Sequence, residues 1–241
     1  MLPLLQKELN NFFSSLMAYA IIGFFLLLMG LLIWVFPDTN VLDGGYADLQ
    51  TFFRVSPYLF MLLVPAITMH LLAEEKKMGT LEVLLTTPLS PTQIILGKYL
   101  AGLVIIALIL LFTGPYYFSI YYLSSPPGNV DTAGIVGSYI GLLLLAAVFA
   151  AVGLLASSLT ERQIVAFLLG VLFCFLLYQG FEAWTILQTW KSYSLLLAQL
   201  GIQCHYEALS RGVIDSRDLL YFFALITLIL WAARLVLIRR R

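Results

Sequence analysis

The ionisable side chains of this sequence are few, and one stretch concentrates them. Residues 74–100 read EEKKMGTLEVLLTTPLSPTQIILGKYL, with Glu74, Glu75, Lys76 and Lys77 in a row, then Glu82 and Lys98. Carboxylates and ammoniums mixed in this way give a docked surface its charge complementarity and register. No catalytic motif accompanies them. The sequence has no HExxH, no GxSxG and no credible Ser/His/Asp set. It also lacks GxxxxGK[ST]. Gly97-Lys98-Tyr99 has neither the hydroxyl residue nor the upstream glycine, so the chain has no P-loop for ATP. Cys174 lies in an apolar run and Cys204 in a polar segment, which is neither a disulfide framework nor a metal spacing. His70 is the imidazole close to an apolar run, and it reads as an interface hydrogen-bonder rather than a proton relay.

The elements that must position this charged block are apolar. The chain has 241 residues, 61% hydrophobic and 11% charged, with a formal net charge of zero. Its mean hydropathy is +0.97. That is too little charge to cover a soluble domain, and too balanced to hold nucleic acid. Six apolar runs, roughly 16–36, 55–73, 98–123, 135–157, 163–181 and 219–238, are long enough to cross a bilayer as helices. The first is too long for a signal-peptide core and has no small-residue cleavage site after it, so it is expected to be retained. Arg54, Lys98, Glu182 and Arg234 fall near span ends, where long side chains snorkel to the headgroups. With no charge near any span centre, ion coupling has no residues to work with.

Orientation follows from the loop cations. Lys7, Lys76, Lys77, Lys98, Arg162, Arg234, Arg239, Arg240 and Arg241 lie on the side of the termini. Arg54, Lys191, Arg211 and Arg217 lie opposite. Both termini, and the charged block, are therefore expected in the cytoplasm.

The block divides itself. Residues 74–87 have helical periodicity, with Met78, Leu81, Leu84 and Leu85 in one stripe and Thr80, Glu82, Thr86 and Thr87 outside it. Pro88 ends that helix. Ser90-Pro91-Thr92-Gln93 is then a capping box with proline at the first helical position, opening a helix that runs into the third span. The apolar stripe must meet either lipid headgroups or a protein, and the pattern alone leaves both open. Residues 1–15 predict an amphipathic interfacial helix, with Leu5, Leu9, Phe12 and Phe13 on one side and Lys7, Asn10 and Asn11 elsewhere. The alternative is an early start of the first span.

The remaining signals concern packing. Gly137 and Gly141 form a GxxxG pair continued by Ala147 and Ala151, with Ala166 and Gly170 on the next span. The tyrosines of YYFSIYYL, 116–123, predict an outer aromatic belt. Residues 182–218 are aliphatic for a loop, with Trp184 and Trp190 suited to an interface. Tyr193, Leu196, Leu197 and Leu200 recur at helical spacing, so short external helices dipping into the outer leaflet are expected. HYEALSRG, 205–212, reads as a short helix ended by Gly212, and Asp215 or Ser216 as the cap of the last span.

The charged block resembles the loop between spans two and three of type-2 ABC exporter permeases. Their pattern is roughly E-x-x-x-G-T-x-E-x-L-L-x-x-P-x-S followed by Gly-Lys, matched here by Glu75, Gly79, Thr80, Glu82, Leu84, Leu85, Pro88, Ser90, Gly97 and Lys98. The segments LDGGYADLQTFF, GSYIGLLLLAAVFAAVGLLASSLTERQIVAF and SRGVIDSRDLLYF resemble the gliding-motility-associated permease subunits (GldF). The resemblance implies an all-α polytopic protein, residues 1–241 as one permease domain, with 74–97 as its cytoplasmic coupling loop. It implies a non-catalytic subunit of an exporter in a bacterial cytoplasmic membrane. This chain would bind no cofactor, and ATP with Mg²⁺ would sit on a separate GldA-like ABC ATPase. The other membrane half would be a GldG-like subunit or a second copy of this chain. Glu75, Lys76, Lys77, Met78, Gly79, Thr80, Leu81, Glu82, Leu84, Leu85, Pro88 and Ser90 would meet or align the ATPase. The N-terminal helix, with Leu5, Lys7, Leu9 and Phe12, would also sit on the ATPase. Gly79 would allow a close backbone approach or be a tolerated helix glycine, and Pro88 with Ser90 would keep the loop from becoming one helix. The uncharged spans point to a lipid-like, amphipathic or polymeric cargo. A scaffold that anchors a motility or secretion machine without transporting anything is the competing reading.

Overall fold

The computed structural model describes residues 2–37, 39–42, 47–86, 89–186, 201–212 and 215–238. All regular structure among them is α-helical: α1 (Leu2–Phe13), α2 (Leu16–Trp34), α3 (Gln50–Thr68), α4 (His70–Lys77), α5 (Thr80–Thr86), α6 (Pro91–Leu111), α7 (Gly114–Leu123), α8 (Thr132–Leu159), α9 (Gln163–Ile186), α10 (Ile202–Ser210) and α11 (Ser216–Ile238). Six helical stretches are long and apolar enough to cross a membrane: α2, α3 with α4, α6 with α7, α8, α9 and α11.

α8 is the axis of the bundle. Its most apolar window is 78% buried, against 22% for α2 and α9 and 28% for α11. A helix apolar all round belongs inside, and small residues let its neighbours close on it. α8 supplies Gly137, Gly141, Ala146, Ala147, Ala150, Ala151, Gly153 and Ala156, all buried. The exposed leucines, phenylalanines and tyrosines of α2, α9 and α11 form the lipid-facing rim.

Two spans expected to be continuous are broken, each for a visible reason. α3 carries Pro57 and Pro65, and the chain turns at Met69 before α4 begins. Ser157 of α8 is inserted there. Its Oγ accepts from Leu72 N (3.1 Å) and Ala73 N (2.9 Å) and donates to Met69 O (2.9 Å), so the interrupted ladder is satisfied from outside. In the third span, Pro115 prevents α6 from running on. Thr113 Oγ1 donates to Leu110 O (2.6 Å) and lies 3.0 Å from Tyr139 Oη.

Pro57 also frees the carbonyl of Phe53, four residues earlier. Tyr206 Oη on α10 donates to that oxygen at 2.6 Å. Burial, and secondarily Tyr178, push the Tyr206 phenol above its ordinary range, which keeps it a donor. α10 is thus held by the protein. Ile202, Tyr206 and Leu209 are buried, and its backbone lies on α8 where Gly137 and Gly141 remove side chains. The short helix expected between the last two spans is present as α10, and its apolar face packs on α8 and α9. Gly212, at φ 78°, ends the helix as its sequence indicated, and Asp215 caps α11 by accepting from Arg217 N at 3.0 Å. α9 continues to Ile186, past the end of the fifth span at Phe181, so the helix runs into the segment read as loop. Trp190, Tyr193, Leu196, Leu197, Leu200 and the Trp184 side chain lie outside the described residues, as do Arg239, Arg240 and Arg241.

Candidate functional site

The charged block converges on one ammonium. α6 opens with the expected capping box: Gln93 N donates to Ser90 Oγ (3.3 Å) and Ser90 N to Gln93 Oε1 (2.9 Å). Two turns later comes Lys98, whose side chain is fully buried. Its Nζ lies 2.7 Å from Glu8 Oε1 of α1 and 2.9 Å from Glu75 Oε2 of α4, and it donates to Leu71 O at 2.6 Å. Glu8 Oε1 and Leu71 O accept hydrogen bonds from the ammonium, and Glu75 Oε2 pairs with it by charge alone. Lys7 Nζ, 3.4 Å from Glu75 Oε1, adds a looser outer pair. With two carboxylates and two ammoniums the cluster is neutral.

This corrects the snorkelling expectation for Lys98. Its stem turns into the junction of α1, α4 and α6, and the charge is neutralised there instead of in headgroups. A buried ion pair of this kind says little about net stability, but breaking it by removing one partner costs about 3–5 kcal/mol.

α1 is placed by the same contact. Its most buried residues are Leu4, Glu8 and Phe12, one face at a spacing of four, with Leu5, Leu9 and Phe13 half-buried beside them. The sequence reading centred that face on Leu5, Leu9 and Phe12 and overlooked Glu8. Lys7 is exposed, and Phe12 stacks on His70 with ring centroids 6.2 Å apart. His70 thus packs on an aromatic ring of α1.

The helix expected over 74–87 is two helices. α4 ends at Lys77 and α5 starts at Thr80. Between them Gly79 has φ 69°, and a Cβ there would meet nothing within 4 Å. Gly79 is not a tolerated interior helix glycine. It supplies the left-handed conformation that ends α4. The stripe is split in consequence: Leu81 is buried, Leu84 half-buried and Met78 61% exposed. The side chain of Leu85 and all of Pro88 lie outside the described residues.

The block therefore has two faces. Glu75, Leu81, Gly97 and Lys98 point into the bundle, and Lys76 Nζ donates to Ser158 O at the end of α8. Lys77, Met78, Gly79, Thr80, Glu82, Thr86 and Ser90 point outward. With Ser157 holding the start of α4, the helices behind that outward face are tied to α8, α6 and α1.

The predicted packing residues all make contacts within the chain. A Cβ on Gly137 would lie 2.8 Å from Gly212 Cα, one on Gly141 3.0 Å from Leu209 Cβ, and one on Gly170 2.9 Å from Pro65 Cβ. Ala166 is buried. Of the tyrosines at 116–123, Tyr116 Oη donates to Leu26 O (2.7 Å) and Tyr117 Oη lies 3.2 Å from Thr132 Oγ1, so these two are tied to other parts of the chain. Among the described residues no group of three His, Cys, Asp or Glu is placed to hold a metal ion.

The family model described as ABC-2 family transporter protein matches residues 2–238. No curated protein matches the chain.

Proposed function

The chain belongs to the ABC-2 transporter family, as a membrane-spanning permease subunit that works with an ABC ATPase, and we propose that this ATPase engages the α4–α5 corner beside Ser90. The observation that carries the proposal is the division of the block into an outward face on a tied-down base. Met78, Thr80, Glu82 and Thr86 are exposed, while Lys98 binds α1, α4 and α6 together behind them. A displacement applied to α5 passes through the Gly79 turn to α4. From α4 it reaches α8 through Ser157 and Lys76, and α6 through Lys98. Lys77 and Glu82 set register and encounter rate more than affinity, because exposed pairs contribute little.

The loop motif and the three segments resembling gliding-motility permeases support the finer reading. The chain is an exporter subunit in a bacterial cytoplasmic membrane, with both termini and the α4–α5 corner in the cytoplasm, as the loop cations indicate. A GldA-like ATPase carries ATP and Mg²⁺, and a GldG-like subunit or a second copy supplies the other membrane half.

The test is the double variant Met78→Asp/Glu82→Lys in the assembled complex in proteoliposomes. ATPase co-purification is expected to fall at least tenfold, with the thermal midpoint of the permease unchanged. Full ATPase retention with normal ATP turnover would sink the docking proposal.

A further inference from the structure

At the end of the bundle opposite Lys98, a cavity of about 540 Å³ opens between the N-terminal turns of α3 and α8 and the helix α10. Its lining includes Arg54 and Arg211 together with Asp48, Asp131 and Glu207. Among the described residues neither guanidinium forms an ion pair, although carboxylates line the same space. The carboxylates are held apart from them by their own bonds. Asp131 Oδ1 caps α8 by accepting from Gly134 N (3.0 Å), Asp48 Oδ1 accepts from Gln50 N (3.3 Å), and Glu207 Oε1 accepts from Gln203 Nε2 (3.1 Å). That last bond fixes the orientation of the Gln203 amide, since a carboxylate oxygen only accepts. Its other atom, Gln203 Oε1, is a buried acceptor with no partner among the described residues.

We propose that this cavity binds a zwitterion carrying a phosphate and an ammonium group, the chemistry shared by a phosphatidylethanolamine headgroup and free phosphoethanolamine. All five charged side chains lining the cavity are exposed, and a scaffold that keeps opposite charges separate leaves both signs for a ligand that carries both. Arg54 and Arg211 take the phosphate, because guanidinium forks match its oxygens. Gln203 Oε1 and Glu207 take the ammonium, which brings the donors that the amide oxygen lacks. The cavity lies beside the ends of two spans, at the level where headgroups meet protein. The inference stands independently of ATPase docking, since it concerns the other end of the molecule.

The experiment uses the full chain in detergent, freed of lipid, with two probes. Native mass spectrometry counts retained phosphatidylethanolamine against phosphatidylglycerol from mixed micelles, and calorimetry titrates phosphoethanolamine. Wild type is expected to prefer phosphatidylethanolamine at least tenfold. Arg54→Gln/Arg211→Gln should abolish that preference, and Gln203→Leu should reduce it several-fold. Arg217→Gln, outside the cavity, should leave it intact, and thermal midpoints check that each variant is folded. If the double variant fails to fold, the phosphatidylethanolamine preference of wild type and of Gln203→Leu decides. Titration by phosphoethanolamine with the same arginine dependence identifies a free ligand, and retention of the lipid alone identifies a headgroup. Equal retention of the two lipids with no phosphoethanolamine binding, or a preference indifferent to Arg54, Arg211 and Gln203, overturns the proposal.

Discussion

The two ends of the bundle treat charge in opposite ways. Around Lys98, the buried charges are neutralised inside the protein: Glu8, Glu75 and Leu71 O meet one ammonium at 2.6–2.9 Å. Around α10, Arg54 and Arg211 form no ion pair among the described residues, in a cavity they share with carboxylates. The closures differ as well. At the Lys98 end the helices are joined by an ionic cluster and by Ser157. At the other end α10 is joined to α8 by backbone contact at Gly137 and by Ser138 Oγ, which donates to Ser210 O at 2.8 Å, to α3 by the Tyr206 phenol, and to α11 by His205 Nδ1, 2.6 Å from Asp218 Oδ1. The first end is built as a rigid base under an exposed corner. The second pairs His205 with Asp218 but keeps Arg54 and Arg211 available.

Removing the ammonium tests that contrast most severely. Lys98→Met leaves Glu8 and Glu75 buried without their cation, and a loss of about 3–5 kcal/mol is expected. The triple variant with Glu8→Gln and Glu75→Gln should recover most of it, as measured by thermal unfolding in detergent. A single variant as stable as wild type would show that the cluster is not a rivet.

At the other end the sensitive atom is a missing one. Gly137→Val puts a side chain where Gly212 Cα already lies within 2.8 Å. Overpacking of about 1–3 kcal/mol is expected, with α10 lifted from α8. Hydrogen exchange should rise in Ile202–Ser210 and stay unchanged at the Lys98 junction. A rise at both ends would mean that the two are one cooperative unit.

The smallest effect is expected at the turn. Gly79→Ala forces a side chain into φ 69° with open space around it, so strain alone, about 1–2 kcal/mol, is lost. Stability should drop slightly while ATP turnover of the complex responds more, if α5 transmits force through this turn. Unchanged turnover would restrict Gly79 to ending α4.

Much of the architecture was readable because it is local. Span length, the Ser90–Gln93 box, the Gly212 stop and the Asp215 cap each depend on residues a few positions apart. Glu8 left a faint trace as a carboxylate on the same face as Leu4 and Phe12, and that trace was hidden when the face was centred on Leu5 and Leu9. Gly79 was misread because helical periodicity continues across it, while a positive φ leaves no mark in the pattern. Lys98 was misread because its distance from a span end said headgroup, and its partners lie 90 positions away in Glu8 and on another helix in Glu75.

By itself the sequence determined a six-span helical membrane protein with a charged, capped interruption between spans two and three, since hydrophobic length and capping act over one or two turns. Only the tertiary structure decided which charges are buried, where spans break and what the small residues of α8 touch. Those outcomes depend on helices distant in the chain supplying the missing partner: a carboxylate for Lys98, a hydroxyl for Leu72 and Ala73, and a backbone for Gly137.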